Sequence, residues 1–495
     1  MIKIIFFLFA TLTYGQSLKN YQNLVDRSDN LIFNYEFDKA LDLLNSAIEN
    51  HRERPEAFLI LSKIYLWYYL GSSNPSDLKL FNDYSDSVVA KCGNIIDDKK
   101  DINILYLLGN IYKYKAMMSA ANSNSLDAFW ATKTSVGYYE DVLDIDSTYY
   151  SAQGGIGIFE YALTFVPSFF SWALTFTGLS ANDNSGFEHV KQAYQKGKKD
   201  KIEMQFHLSK LYDEYLADYR KSINLLDELI EDFPKNNILV YQRAIEYIKS
   251  ENLNKAKIDL ENVIKNGHPK FAQTISYSKF LLGDVYFRQN NFEKALDYYQ
   301  QFLQTSKTID YTGIASLRAA ICNHFLDNTN EYRKYMVLAS NGNQDIEEDS
   351  YAKDLSLRFL ENGLSKDWEN QIKIENYYLS GNNKKVIDSV NEIIDSVIDQ
   401  EVKSLLLNFK SSSLIEQNNF KEAKSIANNL KKYDLQSSFW IKPMAYVNLA
   451  KISLAEKNYA AVKQYIKAAS DINNYRRKNL IKSYINNIKL SIKGK

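Results

Sequence analysis

Apolar and small residues recur along this chain in a fixed pattern of six. Ser28, Leu31, Phe37, Ala40, Leu44 and Ala47 stand at offsets 0, 3, 9, 12, 16 and 19. The same offsets hold Ala244, Tyr247, Leu253, Ala256, Leu260 and Val263, and again Gly283, Tyr286, Phe292, Ala295, Tyr299 and Phe302. They return at Ser411, Leu414, Phe420, Ala423, Ala427 and Leu430, and at Ala450, Ser453, Tyr459, Val462, Ile466 and Ala469. Within each half the spacing of three and four is helical. Polar residues such as Gln289-Asn290-Asn291 and Gln417-Asn418-Asn419 separate the halves. The pattern predicts two helices of about a dozen residues joined by a tight turn. Small residues on both helices let the backbones approach, and aromatics fill the space beside them. One such hairpin cannot bury its apolar face alone, so hairpins must stack on each other.

The clearest unit is FLLGDVYFRQNNFEKALDYYQQFL, residues 280–303, and it resembles the tetratricopeptide repeat family. A second unit, LSKLYDEYLADYRKSINLLDELIEDFPKN, has one extra residue in its turn and keeps the closing Pro234. The resemblance implies an all-α fold, a right-handed superhelix (α-α solenoid) of stacked hairpins. Spacing is uneven: Ala244 to Gly283 is 39 residues, against about 34 in a regular array. The loops therefore carry insertions. Residues 55–150 are less regular, with helices expected at 101–118 and 128–143 and a polar turn at Asn122-Ser123-Asn124-Ser125.

One stretch departs from the repeat pattern. Residues 154–186 read GGIGIFEYALTFVPSFFSWALTFTGLSANDNSG, with no charge between Glu160 and Asp183. Tyr161, Phe165, Phe169, Trp172 and Phe176 fall at helical spacing. Pro167 removes a backbone donor and turns Val166 away from the helical region, so two short helices are expected. A buried hydrophobic hairpin near the centre of the N-terminal half is the preferred reading. A membrane-docking or membrane-spanning segment over 161–179 is the alternative. The order of features, a glycine-rich helix, a hydrophobic hairpin and an acidic turn ending at Gly186, is similar to that in bacterial relatives of the inclusion-body clearance group of tetratricopeptide proteins. That likeness covers roughly residues 28–234. It departs where Asp183 is followed by Asn184 instead of a basic residue.

Composition narrows the picture. Lys plus Arg and Asp plus Glu are 60 each, so no polyanion partner is implied and nucleic acid is not expected. Tyr (37) and Phe (26) are abundant while Pro (6) is scarce, which suits packed helices and not short strands with frequent turns. The start of the chain has a positive residue, Lys3, an apolar run and a small-x-small ending at Thr13-Tyr14-Gly15. It reads as a signal peptide, residues 1–15, and implies export to a bacterial periplasm or envelope. The remaining divisions expected are 16–235, an irregular block holding the hydrophobic hairpin, a repeat block at 236–339 and a C-terminal block at 340–495. The polar run at 340–350 reads as the loop between the last two. Arg476, Arg477 and Lys478 read as a solvated cap on the closing helices.

Candidate chemistry is sparse. Cys92 and Cys322 are expected to be buried small hydrophobes, not a disulfide or a metal pair. The five histidines show no metal-ligand spacing, and no phosphate-binding glycine loop occurs. Neither cofactor nor metal is expected, nor an enzyme. Glu160, beside the apolar run, is the carboxylate whose surroundings matter most; a helix-end carboxylate bonded to backbone is the expectation. The function expected is a protein-protein interaction scaffold that holds a protein or peptide on a concave face lined by the first helix of each hairpin. Helical phase places Tyr241, Gln242, Tyr277, Phe280, Asp284, Arg288, Asn408, Asn448 and Lys451 on that face.

Overall fold

The computed structural model describes residues 2–95, 101–163, 183–433 and 438–494, with side chains from residue 16 onward. Every regular element among them is a helix. The fold is an all-α solenoid of stacked hairpins. The offset pattern is its core. Ser28, Phe37, Ala40, Leu44 and Ala47 are buried, as are Ala244, Tyr247, Leu253, Ala256, Leu260 and Val263. Equivalent positions repeat the same detail: Ser28 Oγ donates to the Ala40 carbonyl and Ser411 Oγ to the Ala423 carbonyl.

The hairpin turns are built from one device. A residue in the left-handed region ends the first helix and an asparagine caps the second. Glu251-Asn252, Asn290-Asn291, Gly381-Asn382 and Lys457-Asn458 all follow it. Each asparagine side chain accepts from the backbone N–H three residues on, which satisfies one orphan donor of the helix start. Its own N–H reaches back to the carbonyl five residues before it.

The chain forms two compact units. Unit 1 holds residues 1–209, 225–239 and 268–272; unit 2 holds 210–224, 240–267 and 273–495. In unit 1 the helices Ile102–Ala121 and Ser125–Ile145 pair closely, as do Tyr150–Ala162 and Asp183–Lys196. The second pair frames the apolar stretch, and here the structure amends the sequence reading. Gly186 lies inside a helix, not in a turn. A Cβ on Gly186 would sit 2.8 Å from the Gly157 carbonyl, and one on Gly157 2.9 Å from that of Gly186. These glycines are needed because two helix backbones touch. Residues 164–182, including Phe165, Pro167, Phe169, Trp172 and Phe176, lie outside the described residues. No helix among the described residues is long and apolar enough to cross a membrane.

Glu160 also differs from expectation. Its Oε2 meets His189 Nδ1 at 2.8 Å, a side-chain partner across the glycine contact. That bond holds the His189 imidazolium above its usual range. In unit 2 one core cluster holds residues on both sides of the polar run at 340–350, from Ala244 to Ala339 and from Ala352 to Ile492. The second part of that run starts the helix Glu347–Asn362. Asp349 turns inward and accepts from the backbone N–H groups of Ile314 and Asn343. Both cysteines are free and buried, and burial pushes the Cys92 thiol up to about 12.

Candidate partner-binding surface

The nine residues placed by helical phase all fall in unit 2 and form three groups. Tyr241, Tyr277 and Phe280 belong to an aromatic group. Phe280 is buried against Phe302 and Tyr311, with ring centroids 5.2 and 5.7 Å away. Tyr277 meets Tyr311 edge-on, its hydroxyl 3.3 Å from Thr308 Oγ1. Burial pushes the Tyr241 hydroxyl above its ordinary range.

The second group is charged. Asp284 is buried; it accepts from Tyr299 Oη at 2.8 Å and pairs with Arg318. Arg288 donates to the Ile248 carbonyl at 3.3 Å. Burial lowers its guanidinium although Asp284 attracts it. Gln242 donates to Glu246 Oε1 at 2.8 Å. Glu246 is fully buried; burial first, then Asp213, pushes its carboxyl up to about 8. Lys249 pairs with Asp213 at 2.5 Å.

The third group lies near the C-terminus. Asn448 Nδ2 donates to Ser412 Oγ at 3.2 Å. Asn408 is buried, its Oδ1 without a hydrogen bond. Lys451 Nζ stands 4.8 Å over the Tyr484 ring, and burial lowers its ammonium although Glu416 and Glu251 attract it. Most of this predicted surface is thus engaged by the chain itself: aromatics stack, charges pair, and little of it faces open water.

A separate crevice, lined by none of the nine, is open. Ser250, Glu251, Asn252, Leu253, Asn254, Gln289, Ser380 and Gly381 line a polar crevice of about 470 Å³. Its walls are the turn devices already described. Gly381 has φ +73°, and a Cβ there would lie 2.6 Å from Glu251 Oε2, so the position favours glycine twice over. Burial, with Glu416 nearby, raises the Glu251 carboxyl.

Unit 1 holds a buried charge cluster that sequence reasoning missed. Glu203 binds Lys63 at 2.6 Å and Lys113 at 2.9 Å, and accepts from Tyr114 Oη at 2.8 Å. Lys63 also meets Asp29 at 3.0 Å. Asp200 accepts from Tyr106 at 2.5 Å and Asn110 at 3.0 Å. Burial opposes both lysine charges, yet the carboxylates outweigh it and hold both ammoniums above the ordinary range. Burial likewise opposes the Glu203 charge, and the two lysines hold its carboxyl far below. The signal was a lone lysine inside an apolar helix, as in LILSKIYLWYYL. Among the described residues no three His, Cys, Asp or Glu side chains converge to hold a metal.

Comparison with known proteins bears on the repeat itself. Residues 276–308 match the family model described as tetratricopeptide repeat. The chain carries a tetratricopeptide repeat. This repeat contains Tyr277, Phe280, Asp284 and Arg288, so four of the nine candidates belong to it. No curated protein matches the chain. Among solved structures it is similar to a tetratricopeptide repeat protein from Parabacteroides merdae at 13% identity and TM-score 0.29, covering 56% of this chain and 95% of that one. It is also similar to the apo form of the quorum sensor NprR from B. thuringiensis, at 12% identity and TM-score 0.37, covering 83% and 97%. Yeast Tom70 matches at 13% identity and TM-score 0.31, covering 96% of each chain. All three scores are low, and the description of unit 2 rests on its own geometry.

Proposed function

We propose that this chain is an exported, non-enzymatic scaffold that binds a protein partner through unit 2. The observation that carries this reading is the crevice between the Glu251-Asn252 and Ser380-Gly381 turns. It offers hydrogen-bonding side chains such as Glu251, Asn254 and Gln289 beside left-handed turns and asparagine caps. A preorganised polar wall orders little on binding, which favours affinity. Its size suits an extended segment of a partner, a few residues long. The tetratricopeptide match supports a protein partner in general terms. The positive, apolar, small-x-small start of the chain supports export, with a mature N-terminus at Gln16 and a place in the periplasm or envelope. The order of a glycine-rich helix, an apolar run and an acidic stretch in the sequence is what suggests a likeness to the bacterial relatives of the inclusion-body clearance group.

The test is Gln289→Trp, which fills the crevice from an exposed position. Capture of partners from the native envelope should fall sharply while thermal stability stays unchanged. Equal capture by both proteins would defeat the crevice as the site. N-terminal sequencing of the native protein tests export separately, and a retained Met1 would defeat it.

A further inference from the structure

Three helices of unit 2 end on the crevice. Ser250 and Glu251 follow the helix Asn237–Lys249, Gln289 follows Ala272–Arg288, and Ser380 with Gly381 follows Lys366–Leu379. The last carbonyls of a helix lack partners within it, and its C-terminus carries a partial negative charge. One helix starts at the crevice, Leu253–Asn266, and Asn252 already caps it. A terminal lysine would offset the charge of a helix end, but Lys249 is engaged elsewhere, with Asp213 at 2.5 Å.

The side chains add acceptors. Ser250 Oγ donates to the Glu246 carbonyl at 2.7 Å, and Ser380 Oγ to the Tyr377 carbonyl at 3.0 Å. Each hydroxyl has thereby given its one hydrogen and keeps lone pairs to accept with. Glu251 is the one charged residue of the lining. Its carboxylate makes no ion pair or hydrogen bond among the described residues, nor does that of Glu416, which ends the helix Gln400–Glu416. Burial first, then the Glu416 charge, holds the Glu251 carboxyl above its ordinary range. Arg288 and Lys451 attract Glu251 without reaching ion-pair distance: Arg288 donates to the Ile248 carbonyl, and Lys451 stands over the Tyr484 ring. The basic spot at residues 476–478 supplies no counter-charge either. Arg476 pairs with Asp354, Arg477 with Glu375, and Lys478 donates to Asn473, where a solvated cap was expected.

We propose that the crevice seats a basic side chain, arginine best of all, on an extended segment of the partner. An unpaired carboxylate, two accepting hydroxyls and three helix C-termini all call for a donor that carries positive charge. The planar guanidinium brings five N–H donors and no acceptor, and it is more weakly hydrated than an ammonium, so it gives up water more readily. Glu251 supplies the counter-charge, with Ser250 Oγ and Ser380 Oγ as further acceptors. A carboxylate that is partly buried beside another of its own sign gains most from an incoming cation. Asn254 and Gln289 offer amides to the backbone on either side of the seated residue. The inference rests on the reading that the crevice is the partner site, and it names the chemistry that site selects.

The test uses the full chain and two peptides that carry an uncharged dye, Ser-Gly-Arg-Gly-Ser-amide and the same sequence with citrulline for arginine. Citrulline keeps the shape and loses the charge. Fluorescence anisotropy at low salt should show the arginine peptide binding at least about tenfold more tightly. Glu251→Gln should bring the arginine peptide down to the level of the citrulline one. The melting temperature should not change, because the carboxylate holds no partner within the chain. Glu293→Gln, which removes an exposed carboxylate outside the lining, should leave the preference intact. Equal binding of the two peptides, binding of neither, or a preference that survives Glu251→Gln would overturn the inference. Partner capture that is lost with Gln289→Trp and untouched by Glu251→Gln would strike the inference alone. Capture untouched by Gln289→Trp, with the arginine preference present, would strike the crevice reading instead.

Discussion

Glu203→Gln is the perturbation with the largest effect worked from the structure. Glu203 is the shared carboxylate of two lysines whose side chains are 2% and 3% exposed. Lys63 keeps Asp29 at 3.0 Å when Glu203 is neutralised, but Lys113 has no second carboxylate within ion-pair distance among the described residues. A buried ammonium without a counter-charge costs about 3–5 kcal/mol. Lys113→Met alone should cost less, about 1–3 kcal/mol, because Glu203 retains Lys63 and Tyr114. The double variant Lys113→Met/Glu203→Gln removes both members and should lose less than the sum, with a coupling of about 1–3 kcal/mol. Urea titration followed by exchange of amides in the helix Ile102–Ala121 reads this locally. The pH profile gives a second check. The Glu203 carboxyl is held below its ordinary 4.5, so its stabilisation is complete above that value and lost as pH falls through the folded value. The lysines are held above 10.5, so theirs is complete below that value and lost as pH rises through the folded values. Between those limits the contribution is flat. A loss under 1 kcal/mol, or strictly additive variants, would refute the reasoning.

Three further outcomes follow. Gly155→Ala and Gly109→Ala each place a Cβ within 2.4–2.5 Å of the Tyr139 ring, which is wholly buried, so each should cost about 1–3 kcal/mol; Tyr139→Leu should lessen the added penalty, as read by thermal melts. Glu246 has its carboxyl raised to about 8, so its protonated form favours folding below 4.5 and that benefit is lost as pH rises toward 8. Glu246→Gln should therefore stabilise unit 2 at pH 8 by a few kcal/mol and do little at pH 4, checked by urea titration at both. The protein lacking residues 1–15 should stay in the supernatant when mixed with anionic vesicles; pelleting would support membrane docking through residues 161–179.

The core was legible because burial in a hairpin stack is periodic. Offsets that place Ala40, Ala256, Ala295, Ala423 and Val462 at one position found residues with no exposure at all. Helix ends were legible where asparagine and a left-handed residue meet. The site was less so. Helical phase put Asp284, Arg288, Asn448 and Lys451 on one face, but phase alone cannot say what lies opposite. Arg318 comes from 34 positions away to hold Asp284, and Tyr484 from 33 to cover Lys451. Glu160 and Gly186 were misjudged for the same reason: their partners, His189 and Gly157, stand 29 positions away. Periodicity reports which face is buried and is silent on long-range pairing.

The central claim, that unit 2 holds a protein partner at its turn-lined crevice, is tested most directly by site-specific photocrosslinking in cells that express the chain. A photoreactive residue at Gln289 or Asn254, on the crevice, should give one discrete crosslinked product. The same residue at Glu293, exposed at the start of the second helix of that repeat, should give none. Discrete products at Glu293 with none at Gln289 or Asn254 would contradict the claim.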